Sequence, residues 1–118
     1  MQEDLKRRTR QFSIDVLRFA DVLPNDPRCW VIGKQLMRSA TSVGANYRAA
    51  CRAQSRAAFI AKMAIVEEEA DETLFWMEII EDLNLAPSPP LLSSLITEAA
   101  ELRAIAAASK RTAKRNHA

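Results

Sequence analysis

The residues best suited to chemistry are basic side chains in the segment from residue 27 to residue 52. At about 100° of rotation per helical residue, four of them lie within about 80° of one another on one helix face. They are Lys34, Arg38, Arg48 and Arg52. A row of cations on a helix is typical of a protein that contacts the phosphate backbone of a nucleic acid. The Arg-rich start of the chain extends this basic character with Arg7, Arg8 and Arg10.

Ion pairing is a competing use for these cations. Residues 1–56 hold eleven basic and five acidic side chains, residues 57–102 hold one and ten, and the remainder holds five basic and no acidic ones. The basic face can therefore pair with the acidic third segment, within one chain or between neighbouring subunits, and form a solvated ion-paired surface. The sequence leaves both interpretations open. Because few aromatic residues accompany the cations, any nucleic-acid contact is expected to be sequence-blind and without base stacking.

No combination of residues predicts an enzyme. The one histidine, His117, is next to the C-terminus, so a histidine-based acid–base pair cannot form inside the fold. No glutamate is followed by a histidine three residues later, which a di-iron bundle requires. Cys29 and Cys51 fall on an apolar helix face and are interpreted as reduced, buried thiols. We therefore expect a non-enzymatic protein with no metal and no cofactor.

Amphipathic helices must position the basic residues. The apolar periodicity predicts three of them from Glu3 to Val22, Pro27 to Arg52 and Arg56 to Asn84, and a fourth that begins at the proline cluster 87–90 and decays from Lys110 onward. Proline-rich segments end the first and third helices, and Asp26 is the expected N-cap of the second. The break between the second and third helices has a weaker signal, and we place it from Ser55, the expected N-cap of the third helix.

Short connections between four such helices predict an all-α fold, an antiparallel up-down-up-down four-helix bundle. Two glycines and a 6% aromatic share argue against a sheet-rich alternative. The 118 residues suffice for one domain, 1–118, with a basic tail from about 108 to 118 that need not be ordered. No apolar run approaches the ~18 residues of a membrane span and no signal peptide opens the chain, so we expect a soluble, cytoplasmic protein.

The third predicted helix carries a second apolar face. Four residues lie roughly 200–260° from its core stripe, and Phe75 is beside them. These four are Ile65, Trp76, Ile79 and Leu83. They are either scattered surface hydrophobes or a patch for self-association, and we expect self-association, in a closed ring if the rotation permits. A separate uncharged stripe on the second helix suits close helix approach and interchain hydrogen bonds, or contact with phosphates. It consists of Gln35, Ser39, Ser42 and Asn46.

Residues 32–48, IGKQLMRSATSVGANYR, resemble the signature of the bacterial four helix bundle protein family, which includes proteins encoded in intervening sequences of 23S rRNA genes. The likeness continues through Ser55, residues 59–62 (FIAK) and residues 68–78 (EEADETLFWME). Ala49 and Ala50 depart from the Glu-Gly pair expected in the rRNA-encoded branch.

The resemblance implies a cytosolic four-helix bundle that assembles as a homopentamer, a barrel-like ring with a positively charged surface. A distant branch is similar to the accessory variability-determinant protein of diversity-generating retroelements, which binds nucleic acid and partners a reverse transcriptase. The resemblance therefore implies RNA or DNA and, more distantly, a reverse transcriptase as partners.

Taken together, the residues and the resemblance predict a non-enzymatic, ring-forming helical bundle whose basic faces contact the RNA or DNA backbone. The alternative is a protein–protein adaptor or scaffold with no nucleic-acid role, whose positive face meets acidic partners or the third helix of a neighbouring subunit. Ion pairing of Arg38 and Arg52 between subunits would favour the adaptor.

Overall fold

A computed structural model, which describes residues 2–116, confirms the predicted all-α fold. The elements are α1 (Gln2–Asp21), α2 (Pro27–Cys51), α3 (Arg56–Asp82) and α4 (Pro89–Arg115). Connections of only a few residues cannot return along a helix, so consecutive helices run antiparallel. They form a bundle of 52 × 22 × 19 Å in which each helix packs on its neighbour in sequence, and α1 and α4 make the weakest contact. Among the described residues, no helix is long and apolar enough to cross a lipid bilayer.

The two predicted N-caps are confirmed. Asp26 precedes α2, and its Oδ1 accepts a hydrogen bond of 2.8 Å from the backbone N–H of Arg28. Ser55 precedes α3, and its Oγ accepts one of 3.0 Å from the backbone N–H of Ala58. Each side chain satisfies a backbone donor that the first turn of a helix leaves unpaired, which is why both helices begin at these residues.

The end of α3 differs from the expected one. The sequence predicted helix as far as Asn84 and a stop at the prolines, but α3 ends at Asp82 and Asn84 adopts a left-handed conformation with φ 55°. The backbone N–H of Asn84 donates to the Glu81 carbonyl, and that of Leu85 donates to the Ile80 carbonyl, at 3.1 and 3.0 Å. This is a Schellman motif, and asparagine supports it because its short polar side chain tolerates positive φ.

The predicted apolar stripes form one continuous core. Its largest fully buried side chains come from all four helices: Phe12, Phe19, Leu36, Met63, Met77, Ile80 and Leu92. Leu5, Cys51 and Phe59 are half-buried and pack against this core.

The segment described as a basic tail is helical as far as Arg115. The alanines at 104 and 106–108, which lead into this segment, have high helix propensity, and basic residues in the last turn interact favourably with the helix dipole. Lys110 also reaches back to α3, where its Nζ lies 2.7 Å from Oε1 of Glu67. His117 and Ala118 lie outside the described residues.

Gly44 allows α1 and α2 to approach closely. A β-carbon built on Gly44 would lie 2.7 Å from Oγ of Ser13 and 3.2 Å from the backbone oxygen of Thr9. The Ser13 hydroxyl also donates a hydrogen bond of 2.7 Å to the Ala40 carbonyl, across the same helix pair. Gly33 is different, because its β-carbon would meet only Leu23 Cδ1, at 3.8 Å.

We expect Gly44→Ala to lower the free energy of unfolding by about 1 kcal/mol, because forcing α1 and α2 apart outweighs the gain in helix propensity. Gly33→Ala is the matched control on the same helix and should raise stability by up to about 1 kcal/mol, since its new methyl group makes only ordinary contacts. Chemical denaturation measures both changes. Equal stabilisation by the two substitutions would contradict the close approach at Gly44.

Candidate nucleic-acid interface

Antiparallel packing sorts the charged residues along the long axis of the bundle. Cutting each helix near its midpoint defines a basic half (residues 2–11, 39–68 and 103–116) and an acidic half (residues 12–38 and 69–102). The basic half has thirteen basic and four acidic side chains, whereas the acidic half has four basic and eleven acidic ones. The segregation by helix that the sequence shows thus becomes a polarity from one end of the molecule to the other.

Arg38 is paired within the chain. Its guanidinium lies 3.3 Å from Oε2 of Glu69 and also pairs with Oε2 of Glu72, both on α3. Of the two interpretations from the sequence, intrachain ion pairing therefore applies to Arg38. This side chain is not an unpaired cation on a phosphate-binding face.

Arg8 connects α1 to α4. Its Nε and Nη2 donate to the two carboxylate oxygens of Glu98 at 2.7 and 2.6 Å, and Nη2 lies 3.4 Å from Oε1 of Glu101. The hydrogen bond to Glu98 raises the pKa of Arg8 further above its ordinary value. Arg7 pairs with Asp4 at 2.7 Å on the exposed side of α1, where such a pair contributes little to stability.

The remaining candidate cations are unpaired. Arg10, Lys34, Arg48 and Arg52 are exposed, and within residues 2–116 none of them makes an ion pair or a side-chain hydrogen bond. Arg10, Arg48 and Arg52 lie in the basic half, while Lys34 lies in the acidic half. Of the seven basic residues singled out from the sequence, the structure therefore brings three unpaired ones to the same end of the bundle.

The uncharged stripe on α2 has two kinds of member. Ser39 is fully buried, and its hydroxyl forms a hydrogen bond of 2.8 Å with that of Thr73 on α3. The expectation that Ser39 contributes to an interface between chains is corrected, because α3 of its own chain already covers it. Gln35, Ser42 and Asn46 stay partly exposed, with Asn46 Nδ2 donating to the Ser42 hydroxyl at 2.8 Å.

The second apolar face of α3 is partly used within the chain. Trp76 and Ile79 are half-buried against the core, Ile65 is half-buried, and Phe75 and Leu83 remain 50% and 43% exposed. All the large exposed hydrophobic side chains among the described residues lie in the acidic half. They are Val22, Trp30, Val31, Phe75, Leu83 and Leu91. Val22 and Val31 were not predicted, because isolated apolar residues near helix ends give no periodic signal. Leu91 was predicted on the core stripe of the fourth helix, and this prediction is wrong because Leu91 is 44% exposed.

Trp76 is linked to the Arg38 ion pair. Its Nε1 donates a hydrogen bond of 3.1 Å to Glu72 Oε2, and its ring meets that of Phe75 nearly edge-on, with centroids 4.9 Å apart. Burial alone would raise the pKa of Glu72. The hydrogen bonds from Trp76 and Arg38 outweigh this effect and hold the pKa below its ordinary value.

A surface cleft of about 520 Å³ separates α1 from α4. Arg8, Asp15 and Glu98 are among its lining residues. These charged groups already have partners, since Arg8 binds Glu98 and Asp15 accepts a hydrogen bond of 2.8 Å from Gln11. Among the described residues, no three His, Cys, Asp or Glu side chains are grouped to hold a metal ion. Burial raises the pKa of the Cys29 thiol, which disfavours its reactive thiolate form.

Comparison with known proteins identifies the family. A family model described as 23S rRNA-intervening sequence protein matches residues 2–108. The chain belongs to this family. The resemblance noted from residues 32–48 and 68–78 is thereby confirmed.

A solved structure shares this fold. It is described as a protein with unknown function from the S23 ribosomal protein family, from Bacteroides thetaiotaomicron VPI-5482. The two chains are 30% identical with a TM-score of 0.84, and the match covers 94% of this chain and 99% of that one. No curated protein matches the chain.

The Glu72 contacts predict an acid transition that Trp76 reports. Because the folded pKa is lowered, the stability that Glu72 contributes is present above its ordinary pKa of 4.5 and is lost as the pH falls through the folded value. In a Trp30→Phe background, Trp76 fluorescence should change with a midpoint below 4.5. Glu72→Gln should remove the transition. A midpoint above the ordinary value, or an unchanged titration in Glu72→Gln, would show that Trp76 does not sense this carboxylate.

Proposed function

We propose that the chain is a non-enzymatic bundle whose basic half contacts the phosphate backbone of RNA or DNA. One observation carries this proposal. The basic half has thirteen basic and four acidic side chains, and Arg10, Arg48 and Arg52 have no partner among residues 2–116. Such an excess of positive charge at one end attracts a polyanion over a distance set by the ionic strength. The excess of acidic residues in the other half repels it, so the charge distribution favours one orientation of binding.

The proposed contact does not read the base sequence. The aromatic residues of the basic half are Tyr47, which is buried, and Phe59, which is half-buried, so neither offers an open ring face for base stacking. Exposed Trp30 and Phe75 lie in the acidic half. Contacts from arginine and lysine to phosphate oxygens position a protein on a nucleic acid without selecting its sequence.

Self-association through α3 is the second part of the proposal. Phe75 and Leu83 are exposed beside half-buried Trp76 and Ile79, and a contiguous apolar surface of this kind favours burial against another protein surface. The family resemblance implies five chains in a ring. Cytoplasmic location belongs to the same proposal, and the reverse transcriptase partner stays a prediction from the distant resemblance.

A protein–protein adaptor is the competing candidate. The exposed apolar side chains collected in the acidic half favour it, as does the pairing of Arg38 inside the chain, which withdraws one cation from any phosphate-binding face. The two candidates differ in what the basic half does, so substitutions confined to one half distinguish them.

Nucleic-acid binding should depend on the basic half. We expect wild type to bind a short RNA or DNA duplex at low salt. Arg52→Gln/Lys114→Gln should reduce the slope of log K against log salt by about 2, because each phosphate that a cation neutralises adds roughly 0.9 to that slope. Arg18→Gln/Lys34→Gln removes the same charge from the acidic half and should leave the slope nearly unchanged. Fluorescence anisotropy across a salt series measures both. Absence of wild-type binding at low salt would reject the nucleic-acid role and favour the adaptor.

The oligomer should depend on the exposed residues of α3. Light scattering is expected to give wild type the mass of five 13.2 kDa chains. Phe75→Ser/Leu83→Ser should have a much lower mass at micromolar concentration, because serine removes the apolar surface that the chains would bury together. Val22→Ser/Leu91→Ser changes two similarly exposed apolar residues outside α3 and should preserve the wild-type mass. A wild type with the mass of one chain would contradict self-association.

A further inference from the structure

The basic half contains a groove of about 190 Å³ between α1 and α2. Three long cationic side chains line it, Lys6 and Arg10 from α1 and Arg48 from α2. The other lining residues are small: Ser13, Thr41, Gly44 and Ala45. No acidic residue is among them.

The helix packing explains this arrangement. Lys6 and Arg10 are four residues apart, so they project from the same face of α1. Because Gly44 has no side chain, α2 lies close to α1 at this position, opposite Thr9 and Ser13. The base of the groove is therefore narrow and free of bulky side chains. Long side chains from both helices then surround a shallow space that the helices themselves cannot fill.

The cations of the groove are available to a ligand. Arg10 and Arg48 make no ion pair or side-chain hydrogen bond with any other residue from 2 to 116. Lys6 pairs with Glu3 at 2.9 Å, but Glu3 is largely exposed and the pair is weak, so the ammonium group can exchange this partner for a phosphate. The groove therefore concentrates positive charge without an internal counter-charge of comparable strength.

We propose that this groove is a phosphate-binding subsite, in which Arg10 and Arg48 hold one phosphate group from opposite helices and Lys6 adds a third charge. Guanidinium groups suit this role because they donate paired hydrogen bonds to phosphate oxygens. The inference rests on the proposed function for its natural ligand, which is a phosphate of a nucleic-acid backbone. Free inorganic phosphate has the same chemistry and is the second ligand to test.

The experiment compares two variants of equal charge within the basic half. Arg10→Gln/Arg48→Gln removes the arginines of the groove, and Arg52→Gln/Lys114→Gln removes two cations outside it. Fluorescence anisotropy with a short RNA and a short DNA at fixed low salt should show weaker binding by both variants, because both remove charge from the basic half. The groove variant should be weakened about tenfold more than the control. Arg10→Lys/Arg48→Lys should keep the salt slope but bind more weakly than wild type, because lysine cannot donate paired hydrogen bonds.

A second measurement uses inorganic phosphate alone. Titration into ¹⁵N-labelled protein should shift the Nε–H resonances of Arg10 and Arg48 more than that of Arg52, with chloride at equal ionic strength as the reference. Thermal melts of all variants check that the fold is intact.

The outcomes for the subsite and for the proposed function are distinguishable. If wild type binds nucleic acid but the groove variant weakens no more than the control, and phosphate shifts no groove resonance, the subsite is rejected while the nucleic-acid role stands. If wild type binds no nucleic acid but phosphate selectively shifts Arg10 and Arg48, the proposed function is rejected while the phosphate subsite is supported. Failure of both measurements rejects both.

Discussion

The alternating direction of the four helices is the constraint on which the other features of the molecule depend. It brings the start of α1, the end of α2, the start of α3 and the end of α4 to one end of the bundle. Together with the loop between α2 and α3, these segments hold thirteen basic and four acidic residues, so charges that are far apart in sequence add up in space. The same alternation collects the acidic end of α3 and the exposed apolar side chains at the other end. The net charge of +2 is therefore the sum of one end with an excess of positive charge and another with an excess of negative charge.

Much of the fold could be predicted because its signals are local. Asp26 and Ser55 cap helices through atoms two or three residues away, and the apolar stripe of α2 needs only helical periodicity to be recognised. Asn84 shows where this reasoning fails. Asparagine suits this helix end because it tolerates positive φ, but apolar periodicity carries no record of that preference, and the contribution of Leu85, which is buried after the turn, depends on the tertiary fold.

The candidate site was harder to predict because partner choice depends on neighbouring helices. Arg38 and Arg48 lie on the same basic face of α2, about 80° apart around the axis. Arg38 lies on the flank next to α3, where Glu69 and Glu72 are within reach, whereas Arg48 lies on the flank next to α1, where it lines a groove with Lys6 and Arg10. Helical periodicity places both on one face, but only the packed bundle shows that one is paired and the other is not. The same holds for Ser39, whose burial requires α3.

A closed ring would increase the effect of this polarity. Rotational symmetry gives every chain the same environment, so chains that run along the ring axis place all their basic halves on one rim. Concentrating like charges usually opposes assembly. The bundle is about 20 Å wide, however, whereas charges in solution are screened over about 8 Å at physiological salt, so neighbouring basic halves repel each other weakly. In such a ring a long polyanion would contact several basic halves at once, and binding at one chain would raise the effective concentration of phosphates at the next. The proposed self-association through an apolar surface outside the basic half would therefore reinforce the proposed weak, sequence-blind contacts without covering the residues that make them.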